Sequence, residues 1–178
     1  HKTIIDEKTY SKITDTISLA DQICKLNGAF IRLEIKANDG TSILFNNKIK
    51  FNSRDICRLL KNSSDAVLLF VTAGSGIIKE IENAIKSEKA SIAVILDAAA
   101  SEITDSAVDW LCSYISVNLR REGLRLTDRR FSPGYGDFSI KNQKFFFDAL
   151  RLSEFGIELT QSFMLIPEKT VTAICGIE

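Results

Sequence analysis

The chain has 178 residues, with 23 Lys plus Arg balanced by 23 Asp plus Glu, and its apolar fraction is 45%. That is the length and composition of one globular domain spanning 1–178, and zero net charge argues against a general nucleic-acid binder, which needs a basic surplus to neutralise phosphates. The one histidine is His1, so a Ser-His-Asp triad, an HExxH zinc site and any other internal histidine-ligated metal are excluded.

Residues 6–26 predict a helix, with Ile13, Ile17, Ala20 and Cys24 at helical spacing and Asn27-Gly28 as its stop. This makes 1–27 an N-terminal helical segment, and the opening His1 in place of Met points to a natural start upstream. Residues 29–37 alternate apolar and polar as a half-buried strand does, and Asp39-Gly40 turns the chain into a strand at Ile43 to Phe45. Asn46-Asn47 offers a further turn into Ile49 to Phe51, and Ser53 is an N-cap for a helix through Leu60. Residues 66–72 (AVLLFVT) are a continuous apolar run of strand length, which predicts a strand buried on both faces.

Gly74-Ser75-Gly76 follows that strand and opens a helix, half of a dinucleotide fingerprint, and Asp97 stands 21 residues after Gly76. Lys79 occupies the place of the third glycine, however. Ile92, Leu96, Ala99, Ile103, Ala107, Trp110, Tyr114 and Val117 recur at intervals of three or four straight through Asp97. Ala98-Ala99-Ala100 is helix-forming where a strand end would need a turn. The spacing therefore predicts one long helix over about 90–121, closed by Gly123. A dinucleotide-binding enzyme survives only as an alternative that needs a strand at 91–97.

LRLTDRRF (124–131) reads as a strand. Ser139 caps a helix through Leu150, Gly156 closes a second helical stretch, and 157–166 and 170–177 read as two strands. The four cysteines, Cys24, Cys57, Cys112 and Cys175, are too far apart for a CxxC motif and read as free thiols of a reducing compartment. No apolar run approaches the ~20 residues of a spanning helix, and no signal-peptide pattern is seen, so the expected address is the cytoplasm.

The most unusual segment is Arg129-Arg130-Phe131-Ser132-Pro133-Gly134-Tyr135-Gly136-Asp137. Its glycines let backbone approach a ligand, its arginines supply a fork for a carboxylate, and Tyr135 supplies an aromatic face. A surface turn with solvated arginines is the plain alternative.

RRFSPGYGDFSIKNQKFFFDAL, followed by IELTQSFMLIPEKTVTAICGI, resembles the C-terminal activation domain of cobalamin-dependent methionine synthase, above all its free-standing versions. Two motifs carry the resemblance: R-x-x-P-G-Y from Arg130 to Tyr135, and L-T-x-S-x-x-x-x-P-x-x-x-V from Leu159 to Val171. Weaker similarity runs back through SRDICRLL, AVLLFVTAG and LDAAASEITD to about residue 50.

The resemblance implies an α/β (α+β) fold, a twisted, largely antiparallel sheet with flanking helices. It implies a reactivation module that binds S-adenosylmethionine and presents its methyl group to cob(II)alamin held by a methionine synthase or related corrinoid-binding protein. A flavodoxin- or ferredoxin-type electron donor would act on the complex, and cobalamin would reach this chain only through its partner. No nucleic acid, membrane or resident metal is implied.

By the same resemblance, Arg130 holds the methionyl carboxylate, the backbone at Ser132, Pro133 and Gly134 meets the ligand, and Tyr135 lines the pocket. Glu102, or in reserve Asp109 seven residues on, takes the amino group. For both acids the plain alternative is a solvated stripe with Asp105 and Ser113. Gly136-Asp137-Phe138 replaces the Cys-Pro and His of the full-length enzyme, and the family's late tyrosine has no counterpart. The competing reading is a partner-binding module of the same fold that has lost S-adenosylmethionine.

Overall fold

The computed structural model describes residues 6–46 and 48–178. Asp6 starts helix α1 (Glu7–Ile23), its carboxylate accepting from the Thr9 N–H at 2.9 Å. The helix stops short of the expected residue 26, and Asn27 and Gly28 open strand β1 (Asn27–Asn38) instead of capping the helix. Gly28 is needed for strand packing: a Cβ there would lie 2.9 Å from the Phe70 carbonyl oxygen and 3.2 Å from Val71 Cγ2.

Strands β2 (Ser42–Phe45), β3 (Lys50–Asn52), β4 (Asp65–Thr72) and β7 (Thr170–Ile177) join β1 in a five-stranded sheet of order β3-β2-β1-β4-β7. Every pairing in it is antiparallel. Central β4 is buried from Ala66 to Thr72, as its apolar run predicts. Leu68 and Phe70 enter one core with Phe51, Phe138 and Phe146, and Val67, Leu69 and Val71 enter another on the opposite face. Each such side chain contributes roughly 1.5–3 kcal/mol through burial, which is why this strand anchors the sheet.

Helix α2 (Arg54–Leu59) and helix α5 (Gln143–Ala149) lie on the first core. Helix α3 (Ser75–Lys86) packs with α1 against the N-terminal half of α4 (Ala90–Arg120). At 31 residues α4 is about 46 Å long, and its C-terminal half covers the sheet's second face. Residues 91–97 are helical, so the dinucleotide reading fails. Asp97 instead pairs with Lys169 at 2.8 Å.

Three expectations are corrected. On α4 the buried stripe is Ala93, Leu96, Ala100, Thr104, Val108, Leu111, Ile115 and Leu119. Trp110, Tyr114 and Val117 are 67%, 49% and 52% exposed, with the Trp110 and Tyr114 rings stacked 5.7 Å apart. The helix is apolar on more than one face, so spacing alone does not fix which face turns inward.

Residues 124–131 run beside β7 but form no regular strand. Leu126 bridges Ile177 and Phe131 bridges Ile174, so five steps on the outer chain face three on β7. The Thr127 hydroxyl accepts from the Gly176 N–H at 3.0 Å and donates to the Arg129 carbonyl at 2.9 Å, replacing ladder bonds where the chain bulges. Residues 157–166 are a tight hairpin rather than one strand: β5 (Glu158–Leu159) pairs with β6 (Leu165–Ile166). Thr160 closes it, with its hydroxyl and its N–H both 2.9 Å from the Met164 backbone. Among the described residues no helix is long and apolar enough to cross a membrane.

Candidate functional site

The bulge before β7 throws Arg129 and Arg130 out of the ladder, and the chain then makes the Ser132–Asp137 turn. Inside the turn the Gly134 N–H donates to the Phe138 carbonyl at 2.7 Å, and the Phe138 N–H donates to the Tyr135 carbonyl at 2.9 Å. Phe138 is fully buried, edge-on to Phe51 with ring centres 5.1 Å apart. Asp137 fixes the other flank. Its carboxylate accepts from the Ser53 hydroxyl and from the N–H groups of Arg54 at 2.7 Å and Asp55 at 3.2 Å, capping α2. These bonds, the Ser53 bond first, hold its pKa below the ordinary carboxylate value. The Asp137 N–H donates in return to Asp55 at 3.2 Å. Gly136 has φ of 52°, and a Cβ there would come within 2.2 Å of Asp55 Oδ2, so close packing and a positive φ both demand glycine.

Behind the turn lies a cavity of about 860 Å³, walled by the turn, the β5–β6 hairpin, the start of β7 and α4. Phe131, Phe163, Met164 and Ile166 give it apolar walls, and Tyr135, 70% exposed, stands at the rim. Its floor is polar. Buried Gln143 and Thr172 bond each other at 2.9 Å. Lys169, just before β7, reaches α4 and bonds Asp97 and Ser101 at 2.8 Å each, which ties the hairpin wall to the helix.

Arg130 lines this cavity and also a second one of about 420 Å³ on the side toward the C-terminal half of α4. Its guanidinium donates to Asp109 Oδ1 at 2.5 Å. Burial alone would weaken its proton hold, but the bond to Asp109 and that carboxylate's charge outweigh burial and raise its pKa. The second cavity is lined by Asp109, Cys112, Ser113, Arg120, Arg129 and Cys175 among others. A hydrogen bond with Cys175, then the charge of Arg130, pull the Cys112 thiol down to about 7 against the opposing effect of burial. Cys175 is pushed upward by that bond and by burial.

The turn residues named from sequence therefore gather at one place: Arg130, Ser132, Pro133 and Tyr135 line the larger cavity, and Gly134 shapes the turn between them. Asp109 meets Arg130 and faces the smaller cavity. Glu102 is exposed on α4 and is not among the lining residues, whereas Asp105, one turn before Asp109, is. Sequence reasoning missed Asp137, the Gln143–Thr172 floor and the Lys169 tie. Asp137 carried the one available signal, a cap-forming residue after Gly-Tyr-Gly, but the helix it caps lies more than 80 residues upstream. Among the described residues no cluster of three His, Cys, Asp or Glu is arranged to hold a metal.

No family model matches the chain, and no curated protein matches it. Among solved structures it is similar to the crystal structure of the MetH reactivation domain bound to AdoHcy, with a TM-score of 0.73 and 12% identity. The match covers 98% of this chain and 67% of that one. The fold is that of the MetH reactivation domain. Like it, this chain combines helices and strands around a curled antiparallel sheet, as the sequence motifs imply.

Proposed function

We propose that the chain is a reactivation module of the MetH type, which binds S-adenosylmethionine in the larger cavity and offers it to a corrinoid-carrying partner. The observation that supports this reading most is the cavity itself. On the fold of a domain solved with AdoHcy, the cavity joins Arg130, the Ser132–Tyr135 turn and an apolar wall to a polar floor.

The residues fit the ligand's parts. Arg130 offers a planar fork to the methionyl carboxylate, and Asp105 rather than Glu102 offers a carboxylate to the ammonium. Tyr135, Phe163 and Met164 offer flat and polarisable surface to the adenosyl ring. Bound here, S-adenosylmethionine supplies an electrophilic sulfonium methyl group. The chain's own task is to orient that group outward and exclude water, with no acid or base required. Exposed Tyr135, Met164 and Ile166 at the rim are the surface a corrinoid-binding protein would cover, and a flavodoxin- or ferredoxin-type donor would act on the complex.

Calorimetric titration with S-adenosylmethionine and with S-adenosylhomocysteine tests the site. Both should bind, and Asp105→Asn should weaken both. If the folded protein takes up neither, the ligand reading is wrong. In a reactivation assay with a cob(II)alamin-loaded partner and a one-electron reductant, methylcobalamin should form faster with this chain than without it, and Tyr135→Ala should reduce the gain. One observation favours a second reading, a partner-binding module that has lost the ligand: Asp109 already occupies Arg130. Titration separates the two, because that module would bind the partner and no nucleoside.

A further inference from the structure

We propose that Cys112 and Cys175, in the smaller cavity, form a peroxide-reactive thiol pair that closes to a disulfide, with Cys112 as the attacking sulfur and Cys175 as the resolving one. The pair stands apart from the proposed ligand site. Neither sulfur lines the larger cavity, and nothing in the proposed methyl-donor role uses them.

Four observations carry the argument. First, the two thiols come from separate elements, α4 and β7, and line the same cavity. Second, they differ in access. Cys112 is half-buried at the wall of a cavity of about 420 Å³, room for a water-sized oxidant, while Cys175 is 2% exposed behind it.

Third, the charges facing Cys112 have been assigned by the fold. Asp109 and Arg120 face it from α4, and Asp128, Arg129 and Arg130 from the bulge. Asp109 is engaged by Arg130. Among the described residues Arg120, Arg129 and Asp128 are in no ion pair, which leaves the cavity one positive charge in surplus and favours an anion. Fourth, the remaining thiols are unlike it. Burial raises the pKa of Cys24 and of Cys57, while that of Cys112 is lowered, so Cys112 carries more thiolate at neutral pH than either.

The chemistry balances with one peroxide. The Cys112 thiolate attacks a peroxide oxygen, an S–O bond forms, the O–O bond breaks, and hydroxide leaves, giving a sulfenic acid. The Cys175 sulfur, losing its proton to that hydroxide, attacks the sulfenyl sulfur. The S–S bond forms, the S–O bond breaks, and the departing hydroxide takes up the proton that Cys112 gave to solvent on ionising and leaves as water. Two thiols are oxidised and one hydrogen peroxide is reduced to two waters.

The test uses the whole reduced chain with hydrogen peroxide near stoichiometry and no nucleoside present, so its result is independent of the ligand reading. After quenching by alkylation, peptide mass spectrometry should find a Cys112–Cys175 linked peptide, with Cys24 and Cys57 still alkylatable. Cys112 should react roughly tenfold or more faster than Cys24 at pH 7, from its larger thiolate fraction. Cys175→Ser should stop the reaction at a Cys112 sulfenic acid trapped by dimedone, and Cys112→Ser should give neither product. Circular dichroism checks that both variants fold. Oxidation spread evenly over the thiols, or Cys112 reacting no faster than Cys24, overturns the proposal. A lasting sulfenic acid in the unsubstituted protein overturns the resolving role of Cys175.

Discussion

The two cavities share Arg130 as a common wall, yet they are built from different materials. The larger is enclosed by a turn and a hairpin, each fastened to the scaffold at few points: Asp137 on α2, Phe138 in the aromatic core, Lys169 on α4. The smaller is enclosed mainly by a long helix and the 126–130 bulge, with Cys175 of β7 behind, and the helix is held on the sheet by the packing of Val108, Leu111 and Ile115 on Val67, Leu69 and Ala173. Loop walls adjust to a ligand's outline, whereas a helix–sheet seam holds a fixed set of groups at fixed separation. The first arrangement suits recognition of a molecule with several parts, and the second suits reactivity of one or two atoms.

The sharpest way to break this contrast is to loosen the turn. Phe138→Ala should cost about 3–5 kcal/mol of stability in urea denaturation, as a fully buried aromatic does. In the fraction that folds, S-adenosylmethionine binding should drop while Cys112 alkylation stays fast. Equal loss of both would mean the cavities are one unit. Next in size is Arg130 itself. Arg130→Ala should cost about 1.5–3 kcal/mol of ligand binding by calorimetry, roughly tenfold to a hundredfold. Arg130→Lys should recover little, because a point charge does not reproduce a fork. Unchanged affinity in both variants would remove Arg130 from the ligand site.

Smaller again is the effect of Asp109→Asn, which releases the guanidinium from an exposed partner. It should tighten ligand binding by under about 1 kcal/mol, a few-fold at most. The last test sharpens the comparison without changing stability. Cys112 alkylation should speed up as pH rises, with a midpoint at about 7, because the bond with Cys175 and then the Arg130 charge favour the deprotonated form. Removing that charge in Arg130→Ala should move the midpoint upward. A midpoint that ignores Arg130 would make the shared wall a matter of position alone.

Legibility from sequence followed the range of the interactions. Strand β4, the Ser53 cap and the unbroken run of α4 rest on local pattern, and each was readable. The inward face of α4 was not, because Val94, Trp110 and Val117 are as apolar as the residues that end up buried, and neighbouring elements decide between the faces. Arg130, Ser132 and Tyr135 could be named from the turn's composition and its resemblance to a family. That Asp105 lines the larger cavity and Glu102 does not depends on how α4 is rotated against the turn, which spacing along one helix does not encode. Asp137, Lys169 and the cavity shared by Cys112 and Cys175 each join residues more than 60 positions apart, beyond the reach of any periodicity.

The bulge beside β7 has a bearing on which lengths of chain this fold tolerates. Because the outer segment spends five steps against three, its excess is two, an even number, and Leu126 and Phe131 both keep the pleat face they would have in a regular ladder. Deleting or inserting one residue between them would invert that parity and turn Phe131 away from its core. Removing two would preserve parity but straighten the segment into a continuous outermost strand, with a row of free backbone groups ready to pair with another copy of the chain. The surplus residues that set Arg130 between the cavities thus also blunt the margin of the sheet against self-association.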